Sequence, residues 1–475
     1  MKQKTILPTV LCLLLLLTTH CGRSRTPAFP VLESQADAQQ VEAQEANQEP
    51  ESQQSSSQRP VSVVNRNEIK VRYISYLTYL GVPEEAEKAL AERFEASHPD
   101  ITVNVARYRR NPQSYLESDS PPDILMFPTS YELNSFAQQG MIADLREIWA
   151  EAELLDKLPP SLRSLGEWDG GLYWVPFAYT WSAIYYNNEI FSDLGLEPPT
   201  TWDEFLFICD TLLSQNITPL TMPGSSAGGS SLWFDYLNLR LNGPDFHRRL
   251  TQGQESYESV EVTDAINAWQ GLIDQGYFGD GRRPSMLSQS MMQVLNPEER
   301  LPGADSAAMI LVNSFMMTEL TPDTRRKFEE QTSYFPFPII DPEIPVGEVT
   351  DSIGYIVPAN AENWEEAAQF LAFLSTPEVQ LELKQRAGPR LTYVPSSLGN
   401  NPADLSPNIQ RGVQTVIEAD QLVLSIMAES PEIMGEALDS AFRRFVNNYD
   451  YGQRVQQDLE KARFEALEAE VFIQQ

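Results

Sequence analysis

Few side chains in this 475-residue sequence are suited to covalent or metal chemistry. The cysteines are Cys12, Cys21 and Cys209, and the first two lie in or just after an N-terminal apolar run, so a disulfide-built fold is excluded. Cys209, inside the run FLFICDTLL with no histidine near it in sequence, reads as a packed thiol rather than a nucleophile. Beyond the leader only His98 and His247 remain, too few for a multi-histidine metal site. Carboxylates are plentiful, but a glycosidase-type pair needs a defined separation that abundance does not supply. No GxxxxGK(S/T), HExxH or GxSxG pattern occurs. The expectation is a chain that binds rather than transforms, with no cofactor and no metal. Aromatic rings and planar polar side chains, the groups a binding cleft is built from, both stand at loop positions.

The elements that must position such residues begin late in the chain. Lys2 and Lys4 precede ILPTVLCLLLLLTT, too short for a confident membrane span but suited to a signal-peptide core. Cys21 follows, then Gly22 and Arg23. Residues 22–67 contain one aromatic residue, Phe29, and are crowded with Gln, Ser, Glu and Ala. Such a segment cannot offset its ordering entropy by burial, so it reads as a disordered tether with a reach of roughly 35–40 Å. The formal charge of −33 lies in the remainder, because residues 1–21 (+2) and 22–67 (−2) cancel, and it argues against a nucleic-acid partner.

From Glu68 the texture is that of a folded chain long enough for two lobes. EIKVRYISYL is an alternating, β-branched strand. EEAEKALAERFEASHP is a helix with Leu90, Ala91 and Phe94 on one face. DITVNVARY and DILMFPTS are further strands, the latter ending in a polar loop. The β-α-β order predicts an α/β sheet with ligand-facing loops at strand ends. In SAIYYNNEIFSDLGLEPPTTWDEF we read a strand, a short helix ended by Gly195, and a second helix with a Thr201/Glu204 capping box; the doubled prolines make a rigid corner. ADSAAMILVNSFMM reads as a buried strand before a polar turn. SIGYIVPAN is another strand, and a helix opens at Thr376-Pro377 and closes near Gly388.

The corner segment, with its Tyr-Asn pair, short helix, Gly-Leu, Pro-Pro and Thr-Trp, resembles the signature segment of family 1 extracellular solute-binding proteins of ABC importers, the maltose-binding-protein-like group. FEASHPDITVNV, SPPDILMF, GLYWVPFAY, AAMILVNSF, YFPFP and AAQFLAFLSTPEVQ resemble its landmarks in the same order, over about residues 90 to 380. The resemblance implies a two-lobed type II periplasmic-binding fold, with a hinge and an interlobe ligand cleft that closes on its solute. It assigns 1–21 to a lipoprotein-type signal peptide and 22–67 to the tether. Lobe 1 is then 68–177 with 352–400, and lobe 2 is 178–351 with 401–475. Cys21 is the implied lipidation site, although Thr18, Thr19 and His20 depart from the usual residues before such a cysteine; ordinary cleavage and an uncleaved anchor stay open.

Site residues follow from the same resemblance. Trp181, just after the first crossing, is a stacking platform or a hinge-packing residue. Trp233, after the loop MPGSSAGGSS, is a second platform or a core residue beside Phe234 and Tyr236. Tyr76 and Tyr79 follow the first strand, facing ligand or packing on the first helix. Thr129 and Ser130 end the third strand, lining the cleft unless Ser130 merely caps the next helix. Asn313 and Ser314 form a small polar pair, with Phe315 where the family commonly has tryptophan. Asp351 and Arg390 are the charged candidates, as hydroxyl anchors or as a structural pair. Asp123 reads as structural. The implied partners are a carbohydrate, ABC permease subunits and a membrane reached through the N-terminal lipid, for a monomer facing the periplasm or the exterior. Two other readings compete: the same fold taking a polyol phosphate, polyamine or peptide, and a tethered adhesin or signalling module without transport.

Overall fold

The computed structural model describes residues 69–473, except 76, 78–81, 110, 159, 224–226, 280–285, 300–305, 388–393, 397–406 and 448–451. The leader, the tether, Cys21, Tyr76, Tyr79 and Arg390 therefore lie outside the described residues.

The first sheet has six strands, in the spatial order Val394–Pro395, Val175–Tyr179, Ser352–Ile356, Ile124–Pro128, Ile69–Ser75 and Ile101–Arg107. The β-branched run IKVRYIS pairs in parallel with ITVNVAR, Ile69 opposite Ile101, across the helix Glu84–Ser97. That helix buries Leu90, Ala91 and Phe94, the apolar face read from its spacing, and carries Glu84, Glu85 and Glu87 in its first turn, where the helix dipole favours negative charge. Strand Ser352–Ile356 inserts antiparallel between Ile124–Pro128 and Val175–Tyr179, so the sheet is closed by chain that returns after the second sheet is built.

The second sheet runs Thr332–Phe335, Ser182–Asn187, Met309–Asn313 and Leu220–Thr221. The corner forms as its residues dictate. Asn187 ends the strand and caps the helix Asn188–Leu194, its Oδ1 accepting Ile190 N at 2.9 Å, while its Nδ2 donates to Val294 O at 2.8 Å. Gly195 then takes φ 62°, the left-handed turn that stops a helix. Thr201 Oγ1 accepts Glu204 N at 3.4 Å, and Glu204 Oε2 accepts Thr201 N at 3.1 Å and Thr200 N at 2.8 Å. Those amides hold the Glu204 carboxyl down at about 2.

Around this sheet pack the long helix Ala227–Thr251, broken at Gly243-Pro244, and helices Val260–Asp274, Glu432–Asn447 and Gly452–Glu468. Their core is aromatic: Trp233, Tyr236, Trp269, Phe337 and Phe442 are buried together. Cys209 is wholly buried in it, and burial pushes its thiol up, as a packed cysteine requires. A short parallel pair, Gly347–Val349 with Gln421–Val423, brings the C-terminal part beside the second sheet. Arg240 secures that pair from within, donating to Gly347 O at 2.6 Å and pairing with Glu348 at 2.5 Å.

Candidate functional site

The two sheets meet where the chain passes from Tyr179 through Thr180 and Trp181 to Ser182, and where Thr350 and Asp351 lead back into Ser352. The passages are stitched together. Thr180 N and Oγ1 each donate to Asp351 O at 3.0 Å, Asp351 N returns a bond to Thr180 Oγ1 at 3.0 Å, and Thr350 Oγ1 donates to Thr180 O at 2.9 Å. Asn313 Nδ2 reaches Thr180 Oγ1 at 2.9 Å and Ser182 Oγ at 3.2 Å. Ser314 N donates to Trp181 O at 2.8 Å, while Ser314 Oγ accepts Trp181 N at 3.3 Å. From the first sheet, Thr129 donates through N and Oγ1 to Ser352 O at 2.9 and 3.2 Å. Thr129, Ser130, Asn313, Ser314 and Asp351, far apart in sequence, thus share one seam at the ends of both sheets.

Within this seam several polar groups keep unused capacity. Ser130 is 4% exposed and stands at the N-cap of Tyr131–Gln138, yet it makes no capping bond and its buried Oγ has no partner among the described residues. Half-buried Asp351 makes no hydrogen bond through its carboxylate among the described residues, and loss of water pushes that carboxyl up to about 6. Asp235 is wholly buried; its Oδ1 accepts Ile426 N at 2.9 Å, but Oδ2 has no partner among the described residues. Burial first, then Asp351 and Glu429, raise its carboxyl well above the carboxylate range. A buried polar group without a partner costs about 1–3 kcal/mol, which a bound donor or acceptor recovers.

Thr180, Tyr131 and Asp235 are the seam residues that sequence reasoning missed. Tyr131 N donates to Ala428 O at 2.8 Å and its hydroxyl to Val471 O, joining the first sheet's helix to the C-terminal segment. Thr180 carried a faint signal, a hydroxyl between the apolar FAY and Trp181. Asp235 carried one as well, a lone carboxylate in the apolar helix LWFDYL.

Both tryptophan platforms are corrected. Trp233 is 0% exposed, with Phe278 at 5.4 Å and Phe337 at 5.8 Å edge-on and Phe205 at 6.4 Å, so no ring face is open to a ligand. The helix following the Gly-Ser loop turns it inward with Leu237. Trp181 is 5% exposed and lies under Gly412 of helix Pro407–Glu418: a methyl group there would stand 2.3 Å from the indole. Asn313 is likewise committed internally, its Oδ1 accepting Phe315 N at 2.8 Å. Asp123 is structural, wholly buried and accepting Arg72 N at 2.7 Å and Asn363 N at 3.0 Å.

A cavity of about 920 Å³ opens between Asn134 and the stretch 155–165 on one side and Arg248, Gln421 and Glu429 on the other. No aromatic ring lines it, and none of the residues expected from the sequence does. Its guanidinium is already engaged, Arg248 donating to Gln421 Oε1 and to Leu422 O. The cavity does hold one buried oxygen without a hydrogen-bond partner among the described residues, Glu429 Oε2, but Ser130 Oγ and Asp235 Oδ2 lie in the seam, where strand ends of both sheets and five of the expected residues converge, so the seam is the candidate site.

Residues 81–381, well over half of the chain, match the family described as bacterial extracellular solute-binding protein. An osmoprotective compounds-binding protein of Synechocystis is 28% identical over 210 residues, 42% of this chain and 50% of that protein. The chain spans about half the length of such curated relatives. Among solved structures, the bacterial solute receptor AcbH, described as having an exclusive preference for β-D-galactopyranose, superposes with a TM-score of 0.73 at 20% identity, covering 84% of this chain and 99% of the receptor. A chitin oligosaccharide binding protein gives 0.66 at 21%, with 84% and 99% covered. The fold is the two-lobed type II periplasmic-binding fold.

Proposed function

Because the chain belongs to the bacterial extracellular solute-binding protein family, we propose that it captures a sugar or oligosaccharide at the seam between its lobes and delivers it to an ABC permease. The family and fold are those of exported binding proteins rather than enzymes. No helix among the described residues is long and apolar enough to cross a membrane. In this reading lipidated Cys21 and the 22–67 tether hold the domain at the membrane. Lobe 1 comprises 68–177 with 352–400, lobe 2 comprises 178–351 with 401–475, and the protein works as a monomer.

The observation that carries the reading is the convergence of Thr129, Ser130, Asn313, Ser314 and Asp351 on one seam, with Ser130 Oγ buried and unpartnered. Neutral hydroxyls with a single half-buried carboxylate suit a polyhydroxylated solute, which offers both donors and acceptors.

A thermal-shift screen of residues 68–475 against mono- and oligosaccharides, polyols, amino acids, peptides and polyamines tests it. A sugar at 100 times its Kd should add about 2.7 kcal/mol, a rise of a few degrees. Ser130→Ala and Asp351→Asn should abolish the shift without lowering the unliganded melting point, and Asp351→Asn should raise it at neutral pH. A shift with a charged solute alone would replace the sugar by that solute. A flat screen of folded protein would favour the tethered non-transport module.

A further inference from the structure

Below the first sheet's strand end lies a buried carboxyl that neither the seam nor the ion pairs of the surface use. Glu87, in the first turn of helix Glu84–Ser97, is 5% exposed. Its Oε1 accepts Tyr73 OH at 3.0 Å and the hydroxyl of Ser75, the last residue of the strand. Ser75 Oγ in turn accepts Leu77 N at 3.1 Å, and Leu77 O accepts Val82 N at 3.0 Å. One carboxyl thus stands at the root of a hydrogen-bonded chain that seats both Leu77 and Val82, which are themselves buried.

Among the described residues no cation forms an ion pair with Glu87, and Arg107 acts on it only from a distance. The groups that face it are Tyr73 of its own hydrogen-bond set, Tyr355 from strand Ser352–Ile356, edge-on to Tyr73 at 6.0 Å, Glu84 on its own helix, and Arg107 from strand Ile101–Arg107. Arg107 is already paired with Glu84 at 2.6 Å. We propose that Glu87, acting through Ser75, is a positioning residue that seats Leu77 and Val82 at the ligand-facing end of the first sheet, and that loss of its proton loosens that seat. Burial raises the Glu87 carboxyl to about 7, against the weaker lowering by Ser75 and Tyr73. The sign follows from linkage. A carboxyl raised in the seated state holds its proton there, and unseating Leu77 admits water and lowers it again. Seating is therefore complete below the ordinary glutamate value, weakens as pH rises towards about 7, and levels off beyond it. The consequence for ligand capture rests on the sugar-binding reading, whereas the seat itself does not.

The test is amide exchange on the whole chain without ligand, between pH 5 and 8.5, corrected for intrinsic exchange rates. Protection at Leu77 and Val82 should fall roughly tenfold between pH 5 and 6 and flatten above about 7, while Leu311 in the second sheet keeps its protection. Glu87→Gln, which retains an acceptor without a titrating proton, should remove this dependence. Ser75→Ala should lower protection at Leu77 at every pH. Equal pH dependence in wild type and Glu87→Gln, a parallel fall at Leu311, or no fall in wild type would each overturn the proposal. A failed ligand screen would leave it standing, so the two readings fail separately.

Discussion

The core around Trp233 and the seam around Thr180 treat the same kind of resource in opposite ways. In the core, aromatic rings meet aromatic rings: Tyr236 stacks on Phe337 at 4.9 Å and Trp269 leans on Phe445 at 4.8 Å. In the seam, one hydroxyl, Thr180 Oγ1, is shared among Asp351 N, Asp351 O and Asn313 Nδ2, while neighbouring Ser130 Oγ has no partner. The lesson is that the aromatic residues best suited chemically to a sugar are spent on stability here. In the proposed reading, recognition falls to small polar groups held in place by backbone.

Four substitutions test the contrast. Trp233→Ala should cost about 3–5 kcal/mol, as for large aromatic truncations in a closed core. Denaturant unfolding would show it, and ligand affinity per folded molecule should stay unchanged; a selective loss of affinity would return Trp233 to the site. Gly412→Ala drives a methyl group into the Trp181 indole and should cost about 1–3 kcal/mol, read from the melting temperature. Unchanged stability would mean that the indole moves freely.

Asp351→Asn should act through pH. The carboxyl is raised in the folded state, so its contribution is present at acid pH and is lost as pH rises from the ordinary aspartate value through about 6. Wild type should therefore lose more stability between pH 5 and 7 than the Asn variant, measured by urea titration at both pH values; identical losses would remove Asp351 from the buried seam. Ser130→Ala should cost no stability, because no bond is removed and the buried hydroxyl has no partner to lose. Its effect should be confined to sugar affinity by calorimetry, and a large stability loss would show that Ser130 is a structural cap after all.

The local devices are legible in the residues themselves. The Thr201/Glu204 box, the Gly195 stop and the strand-helix-strand from Ile69 to Arg107 depend on residues close to one another along the chain. Thr129, Asn313, Ser314 and Asp351 are legible as polar strand ends, but the bonds that tie Asn313 and Ser314 to the crossing are not, because each closes a separation of more than 130 residues. Trp233 shows the opposite failure: its position after a Gly-Ser loop is readable, yet which helix face meets the sheet is not.

The residues alone specify an acidic α/β chain long enough for two lobes, and the family resemblance they carry implies an exported binding protein. Composition, periodicity and capping act over short distances, and they survive whatever the lobes do. Which polar residues became seam and which aromatics became core was set by long-range packing. That choice depends on how helices Ala227–Thr251 and Pro407–Glu418 pack on the second sheet, where burial of rings outweighs their availability to a ligand.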